Sequence, residues 1–266
     1  MNDIKISVIM SVKNGAHDLD RSIKSIQYQT YKNWEFIICD DGSTDETYSI
    51  LKAYQKHDNR IKIIRNQESM GLAFSLNRCI KVAQSNILAR QDADDTSEPN
   101  RFERQLAFVS SHPEYAIVGT CWNNVLSNGR KNQVRVKEQP TAMDQVQGGL
   151  YMHPSWMMRK DLLAQVGYYT VNKYTMRSQD YHLVMKVLGA GMKLYNMQEF
   201  LYNYTMDERM LARTRNWSKV WGLMWIRWDS YKRNHLPLWC FIYVLKPVIT
   251  LIIPKQIMFK YYKENA

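Results

Sequence analysis

Asn86-Ile87-Leu88-Ala89-Arg90-Gln91-Asp92-Ala93-Asp94-Asp95 reads as a buried strand that breaks into an acidic loop. Ile87-Leu88-Ala89 is a short apolar run, and Pro99 opens a helical pattern a few residues later. Asp92 and Asp94 sit two apart, so in extended chain both carboxylates point the same way. Asp92, Asp94 and Asp95 together repel one another unless a cation lies among them. Hard oxygen ligands at the mouth of a sheet suit Mg²⁺ or Mn²⁺. Taken alone, Asp-x-Asp is better explained as a solvated turn, and the flanking chain has to decide.

Working outward, strands and helices alternate. Ile4-Lys5-Ile6-Ser7-Val8-Ile9-Met10-Ser11-Val12 is β-rich and ends at the turn Lys13-Asn14-Gly15, after which Leu19, Ile23 and Ile26 recur at helical spacing. Trp34-Glu35-Phe36-Ile37-Ile38-Cys39 predicts a second strand. Asp40-Asp41-Gly42-Ser43-Thr44-Asp45 then offers caps to a helix carrying Ile50, Leu51 and Tyr54. Ile61-Lys62-Ile63-Ile64 predicts a third strand, and Gly71-Leu72-Ala73-Phe74 begins another helix. The alternation favours an α/β fold, a largely parallel sheet with helices on both faces. Ligands of such sheets bind beyond the carboxyl ends of the strands, which is where Asn14, Asp40, Asp41 and the acid loop fall.

Further on, the pattern predicts a helix through Phe102, Leu106 and Val109, a strand Ala116-Ile117-Val118-Gly119, and a polar hairpin or loop over 123–139. His153-Pro154 precedes Ser155-Trp156-Met157-Met158-Arg159. Helices follow over Leu162, Leu163 and Val166, and over Tyr181, Val184, Val187 and Leu188, the second opened by Ser178-Gln179-Asp180. An acid in a first helical turn is favoured by the helix dipole whatever else it does.

The ordered set of Ser7-Val8-Ile9-Met10, Asn14-Gly15, Asp40-Asp41-Gly42-Ser43-Thr44-Asp45, Gly71 with Leu76-Asn77, Asp92-Ala93-Asp94-Asp95, Arg101-Phe102, His153-Pro154 and Gln179-Asp180 resembles the family-2 nucleotide-sugar glycosyltransferases, which have a GT-A fold. The likeness runs over residues 6–204. It implies a nucleotide-sugar half at 1–98 and an acceptor half at 99–206 within one catalytic domain, 1–206. It also implies that Asp41, and Asp40 beside it, meet the base or ribose, with Asn14, Asn66 and Arg90 on the same donor. By the same resemblance Asp94 ligates the metal, Asp92 holds the ribose or the metal's water shell, His153 approaches the metal or diphosphate, and Asp180 is the general base. Helix capping, worth about 1 kcal/mol, is the alternative duty of the acids after the second strand. A histidine beside proline at a strand edge also serves structure, and Trp156 either floors the acceptor sugar or packs in the core. The chain departs from many relatives after the last strand, where Tyr204-Thr205-Met206-Asp207-Glu208-Arg209-Met210 replaces an Arg-x-His-x-x-Ser-like stretch. Arg209, Arg213 and Arg215 are the candidates for the diphosphate there.

With one metal site, one base and no Ser–His–Asp or Cys–His arrangement, the expected chemistry is a single displacement that inverts the anomeric centre. A nucleotidyltransferase would also use a metal and sheet-end carboxylates but usually shows a glycine-rich loop near its N-terminus, and Lys13-Asn14-Gly15 is poor in glycine. A non-catalytic membrane adaptor is the third class.

The 266 residues carry a formal net charge of +11, and 11 Lys/Arg against 4 Asp/Glu fall in residues 207–266. There Trp217, Trp221, Trp225, Trp228 and Tyr231 recur every three or four residues, and the charge-free run 236–245 follows. No apolar run approaches the roughly 20 residues that span a bilayer. The reading is a membrane-associating helical extension, 207–266, that lies in an anionic interface or packs on the catalytic domain. No nucleic-acid module appears. Four cysteines without paired spacing and a start without a signal-peptide core predict a cytosolic protein, peripheral at the inner membrane's cytoplasmic face. The expected donor is UDP-linked and the expected acceptor a lipid-linked saccharide of O-antigen or capsule assembly, by analogy with similar enzymes.

Overall fold

The computed structural model describes residues 4–149, 151–175, 178–206 and 217–252. Its sheet has nine strands. β1 (Ile6–Val12) pairs in parallel with β2 (Trp34–Asp40) and β4 (Ile87–Arg90), and β2 in parallel with β3 (Ile61–Arg65). The sheet continues from β4 through β8 (Met157–Arg159), β6 (Tyr115–Val125) and β9 (Lys193–Thr205) to β5 (Thr96–Ser97), with β7 (Lys131–Val134) on the side of β6. β8 is antiparallel to both β4 and β6, whereas β6 and β9 are parallel. All the long strands therefore run one way, and only the short β5, β7 and β8 are reversed.

Alternation along β1 divides the core. Ile6, Val8, Met10 and Val12 face the layer formed by α1 (Leu19–Gln27), α2 (Thr47–His57) and α4 (Arg101–Ser111). Ile9 faces the layer of α3 (Leu72–Val82), α6 (Lys160–Gln165) and α7 (Gln179–Gly189). A period of two in the strand meets helices whose Leu19, Ile23 and Ile26, or Leu76, Cys79 and Ile80, repeat every three or four residues. Each fully buried aliphatic side chain contributes about 1.5–3 kcal/mol.

Of the hairpin or loop expected over 123–139, the hairpin is what forms, Trp122 to Val125 pairing with β7. The short helix α5 (Ala142–Gln147), capped by a reciprocal Thr141–Asp144 pair, and the thirteen-residue β9 were not expected. β9 alternates poorly between apolar and polar because it is bulged against β6 and covered unevenly.

Two segments follow the sheet, α8 (Trp217–Arg233) and a 3-10 stretch Leu238–Leu245 leading into α9 (Lys246–Ile252). They are not a free appendage. Tyr231, Cys240 and Val244 are buried against Val146 of α5 and Met185 of α7. Among the described residues no helix is long and apolar enough to cross a membrane.

Candidate functional site

The loops after β1, β2 and β3 are tied into one wall. Asp41, 4% exposed, accepts five hydrogen bonds. Oδ1 receives Asn66 Nδ2 at 2.6 Å, the Met70 N–H at 2.8 Å and Ser75 Oγ at 3.0 Å, and Oδ2 receives Ser69 Oγ and the Gly71 N–H, both at 2.9 Å. Burial opposes the charge, but these donors hold the Asp41 carboxyl below its usual range. Asn66 also donates to Ser75 and accepts from Arg78. Asp40 is fully buried. Its Oδ1 takes the Ser43 N–H at 3.0 Å, and Arg65 Nε lies 3.0 Å from Oδ2. Asn14, at φ 52°, accepts the Thr44 N–H at 2.9 Å, and its own N–H donates to Ser43. Four of the side chains expected on the nucleotide sugar, Asn14, Asp40, Asp41 and Asn66, are thus also the pins of the wall.

At the end of β4 the chain turns into the acid loop. Arg90, 1% exposed, places Nη2 2.6 Å from Asp92 Oδ1, while its Nε and Nη1 find no hydrogen-bond partner among the described residues. Asp95 is buried and held by β9, its Oδ1 accepting the Thr205 N–H at 2.8 Å and its Oδ2 the Tyr202 hydroxyl at 3.1 Å. Asp94 stands at the surface with its carboxyl crowded by the loop. One oxygen from each of Asp92, Asp94 and Asp95 lies within 4.8 Å of the others, the one such group among the described residues. Burial and the charge of Asp92 push Asp94 up, and burial, Asp92 and Asp94 push Asp95 far up. Like charges crowded in this way are relieved by a hard divalent cation, so the donor set fits Mn²⁺ or Mg²⁺.

The reversed strand brings the other side of the rim into place. Because β8 runs against β4, its entry lies beside the end of β4, with the Arg90 N–H donating to Trp156 O at 2.9 Å. His153 is therefore near Arg90, but it lies outside the acid group. It is buried, its Nε2 is 2.7 Å from the Tyr169 hydroxyl, and burial reinforced by Arg90 holds the ring well below its usual value, hence neutral. Trp156, 1% exposed and edge-on to His153, belongs to the core, so it does not floor an acceptor sugar.

Asp180 opens α7, its Oδ1 accepting the Tyr181 N–H at 2.8 Å. Burial raises it, Arg90 and that N–H draw it back, and the charge of Asp92 raises it further. Tyr169 feels Arg90, Asp180 and Asp92 in turn, and Tyr151 feels Asp180. The charges of Arg90 and Asp92 thus bear on the acid at the start of α7.

Tyr151, Tyr169 and Tyr202 belong to this neighbourhood without having been singled out, and Asp95 was named only as one of the crowded acids and given no ligand role. Asp95 stood within the quoted motif, whereas the tyrosines carried no spacing signal. Arg209, Arg213 and Arg215 lie outside the described residues.

Residues 7–167 match the family model described as glycosyl transferase family 2. EpsE of Bacillus subtilis (strain 168), a glycosyltransferase by its name, is 36% identical over 98% of this chain and 94% of its own length. Two solved structures share the fold. S. aureus TarS 1–349 in complex with UDP-GlcNAc has a TM-score of 0.70 at 21% identity, over 85% of this chain and 66% of that one. The mannosyltransferase PcManGT from Pyrobaculum calidifontis, in complex with GDP-Man and Mn²⁺, has a TM-score of 0.65 at 14% identity, over 98% of this chain and 80% of that one.

Proposed function

The chain belongs to glycosyl transferase family 2, and on that premise we propose that it is an inverting, metal-dependent enzyme. It moves a sugar from a UDP-linked donor to a hydroxyl of a lipid-linked saccharide, in surface-polysaccharide assembly at the cytoplasmic face of the membrane. The observation that carries this reading is the acid group after β4 in a chain of this family, one oxygen from each of Asp92, Asp94 and Asp95 lying within 4.8 Å of the others.

The base and ribose are assigned to the wall of Asn14, Asp40, Asp41 and Asn66, which holds the gripping loops in place. Asp94 and Asp92, joined by Asp95, would hold Mn²⁺ or Mg²⁺, which when bound neutralises charge on the departing diphosphate. Arg90 keeps Asp92 oriented from beneath, and its buried Nε and Nη1 keep positive charge below the acid loop. Asp180 receives the acceptor's proton on Oδ2, since Oδ1 is engaged with the Tyr181 N–H. The acceptor oxygen bonds to the anomeric carbon as the bond from that carbon to the phosphate oxygen breaks, and the electron pair leaves with the nucleoside diphosphate. A carboxylate raised by burial is a stronger base for this than an exposed one. His153, neutral and bonded to Tyr169, shapes the floor under Arg90.

A transfer assay with radiolabelled UDP-, GDP- and dTDP-sugars and a membrane lipid extract tests the reading, with the product's anomeric configuration determined by NMR. Metal-dependent transfer from a UDP-sugar with inversion supports it. Retention of configuration, or release of pyrophosphate, contradicts it.

A further inference from the structure

The two faces of α8 have different neighbours. On the outer face Trp217, Trp221 and Trp228 form a stripe, all at least half exposed. The 3-10 stretch extends it. With three residues per turn, Trp239, Ile242 and Leu245 fall on one side, and each is at least half exposed. Trp228 meets Phe241 edge-on at 4.9 Å, which joins the two segments. Residues 217–252 carry Lys219, Arg227, Lys232, Arg233 and Lys246 against one acid, Asp229. An exposed apolar and tryptophan-rich surface on a segment of net positive charge matches the interface of an anionic bilayer.

The inner face is built against the acceptor side of the site. Gly222 lies so close to the Tyr174 loop that a Cβ would come within 2.7 Å of Tyr174 O. Trp225 stacks on the Tyr174 ring at 5.2 Å, Asp229 lies 3.0 Å from His182 Nε2, and Arg227 sits over the Tyr181 ring. Asn234 donates to Met185 O at 2.9 Å. Tyr181 and His182 directly follow Asp180.

We propose that α8 seats on an anionic bilayer through its tryptophan stripe and, through its opposite face, holds the Tyr174 loop and the first turn of α7, so that contact with the bilayer orders the residues around Asp180. The consequence for the acceptor rests on the function proposed above, whereas seating and ordering do not. A helix that is both interface and brace presents the site at the depth where a lipid-borne hydroxyl stands.

The full chain is sedimented with vesicles of phosphatidylcholine alone or mixed with phosphatidylglycerol, and amide hydrogen exchange is followed in the Tyr174 loop and the start of α7. About tenfold tighter binding to the anionic vesicles is expected, with about tenfold slower exchange in those segments once bound. The triple variant Trp221→Ser, Trp228→Ser, Ile242→Ser should lose both. Gly222→Val and Asp229→Asn should still sediment but lose the slowing, and Asp229→Asn serves where Gly222→Val fails to fold. The proposal is overturned if vesicles are not bound, if neutral vesicles bind equally, or if bound protein exchanges at the free rate. It is also overturned if the wild type forms a dimer that the triple variant does not, since the stripe then meets a second copy of the chain. Absence of UDP affinity alongside intact vesicle behaviour would count against the donor reading and not against this one.

Discussion

Nη2 of Arg90 and Oδ1 of Asp92 lie 2.6 Å apart, joining the last residue of β4 to the first acid of the loop beyond it. The guanidinium is almost wholly buried, and Asp180, Tyr169 and His153 all respond to its charge. One buried cation thus acts on Asp94, Asp180, His153 and Tyr169 together.

Arg90→Gln should weaken donor binding and cost about 3 kcal/mol of stability, because it leaves Asp92 without its partner. Arg90 draws Asp180 down against burial, so its loss should move the acid limb of the pH–rate profile to higher pH. Denaturant melts and a pH series with the variant check both. An unmoved acid limb would separate Arg90 from the base.

Mn²⁺ should raise Tm, and more at pH 8 than at pH 5. Asp94 and Asp95 have folded pKa values above their ordinary ones. Their share of stability is therefore fully present below the ordinary carboxylate range and is lost as pH rises through the raised values. The cation offsets that loss where the acids are ionised and competes with protons where they are not. Calorimetric scans with and without Mn²⁺ at the two pH values measure it, and Asp94→Asn should remove most of the difference.

Gly42→Ala should destabilise by about 2 kcal/mol, since φ is +68° and a Cβ would lie 2.8 Å from Glu68 C. Asp41→Ala should cost about 3 kcal/mol by stranding the donors that converge on it. UDP affinity should fall in both, because the wall carries the nucleotide loops. Urea titrations, with UDP binding measured on the folded fraction, check this pair.

The first half of the fold was legible because β1 to β4 are short buried runs punctuated by Asn14-Gly15, Asp41-Gly42 and Gly71, signals that act over a few residues. Asp92, Asp94 and Asp180 were named from motif order; the first two follow the end of β4 and the third lies in the first turn of α7. Long-range packing hid the rest. Nothing local says that β8 runs backwards and sets Trp156 O against the Arg90 N–H, or that Thr205 and Tyr202 close over Asp95 from more than a hundred residues away. The tryptophan period gave a helix and an aromatic face, but not the inner face of α8 that grips α7.

The central claim is that Asp180 primes the acceptor while the acids after β4 serve the donor, and the Asp180→Asn variant separates the two most directly. Transfer of radiolabelled sugar should fall about a thousandfold, while UDP titrated calorimetrically in Mn²⁺ binds as to the wild type. Transfer at close to the wild-type rate, or loss of transfer only in step with UDP binding, would contradict it.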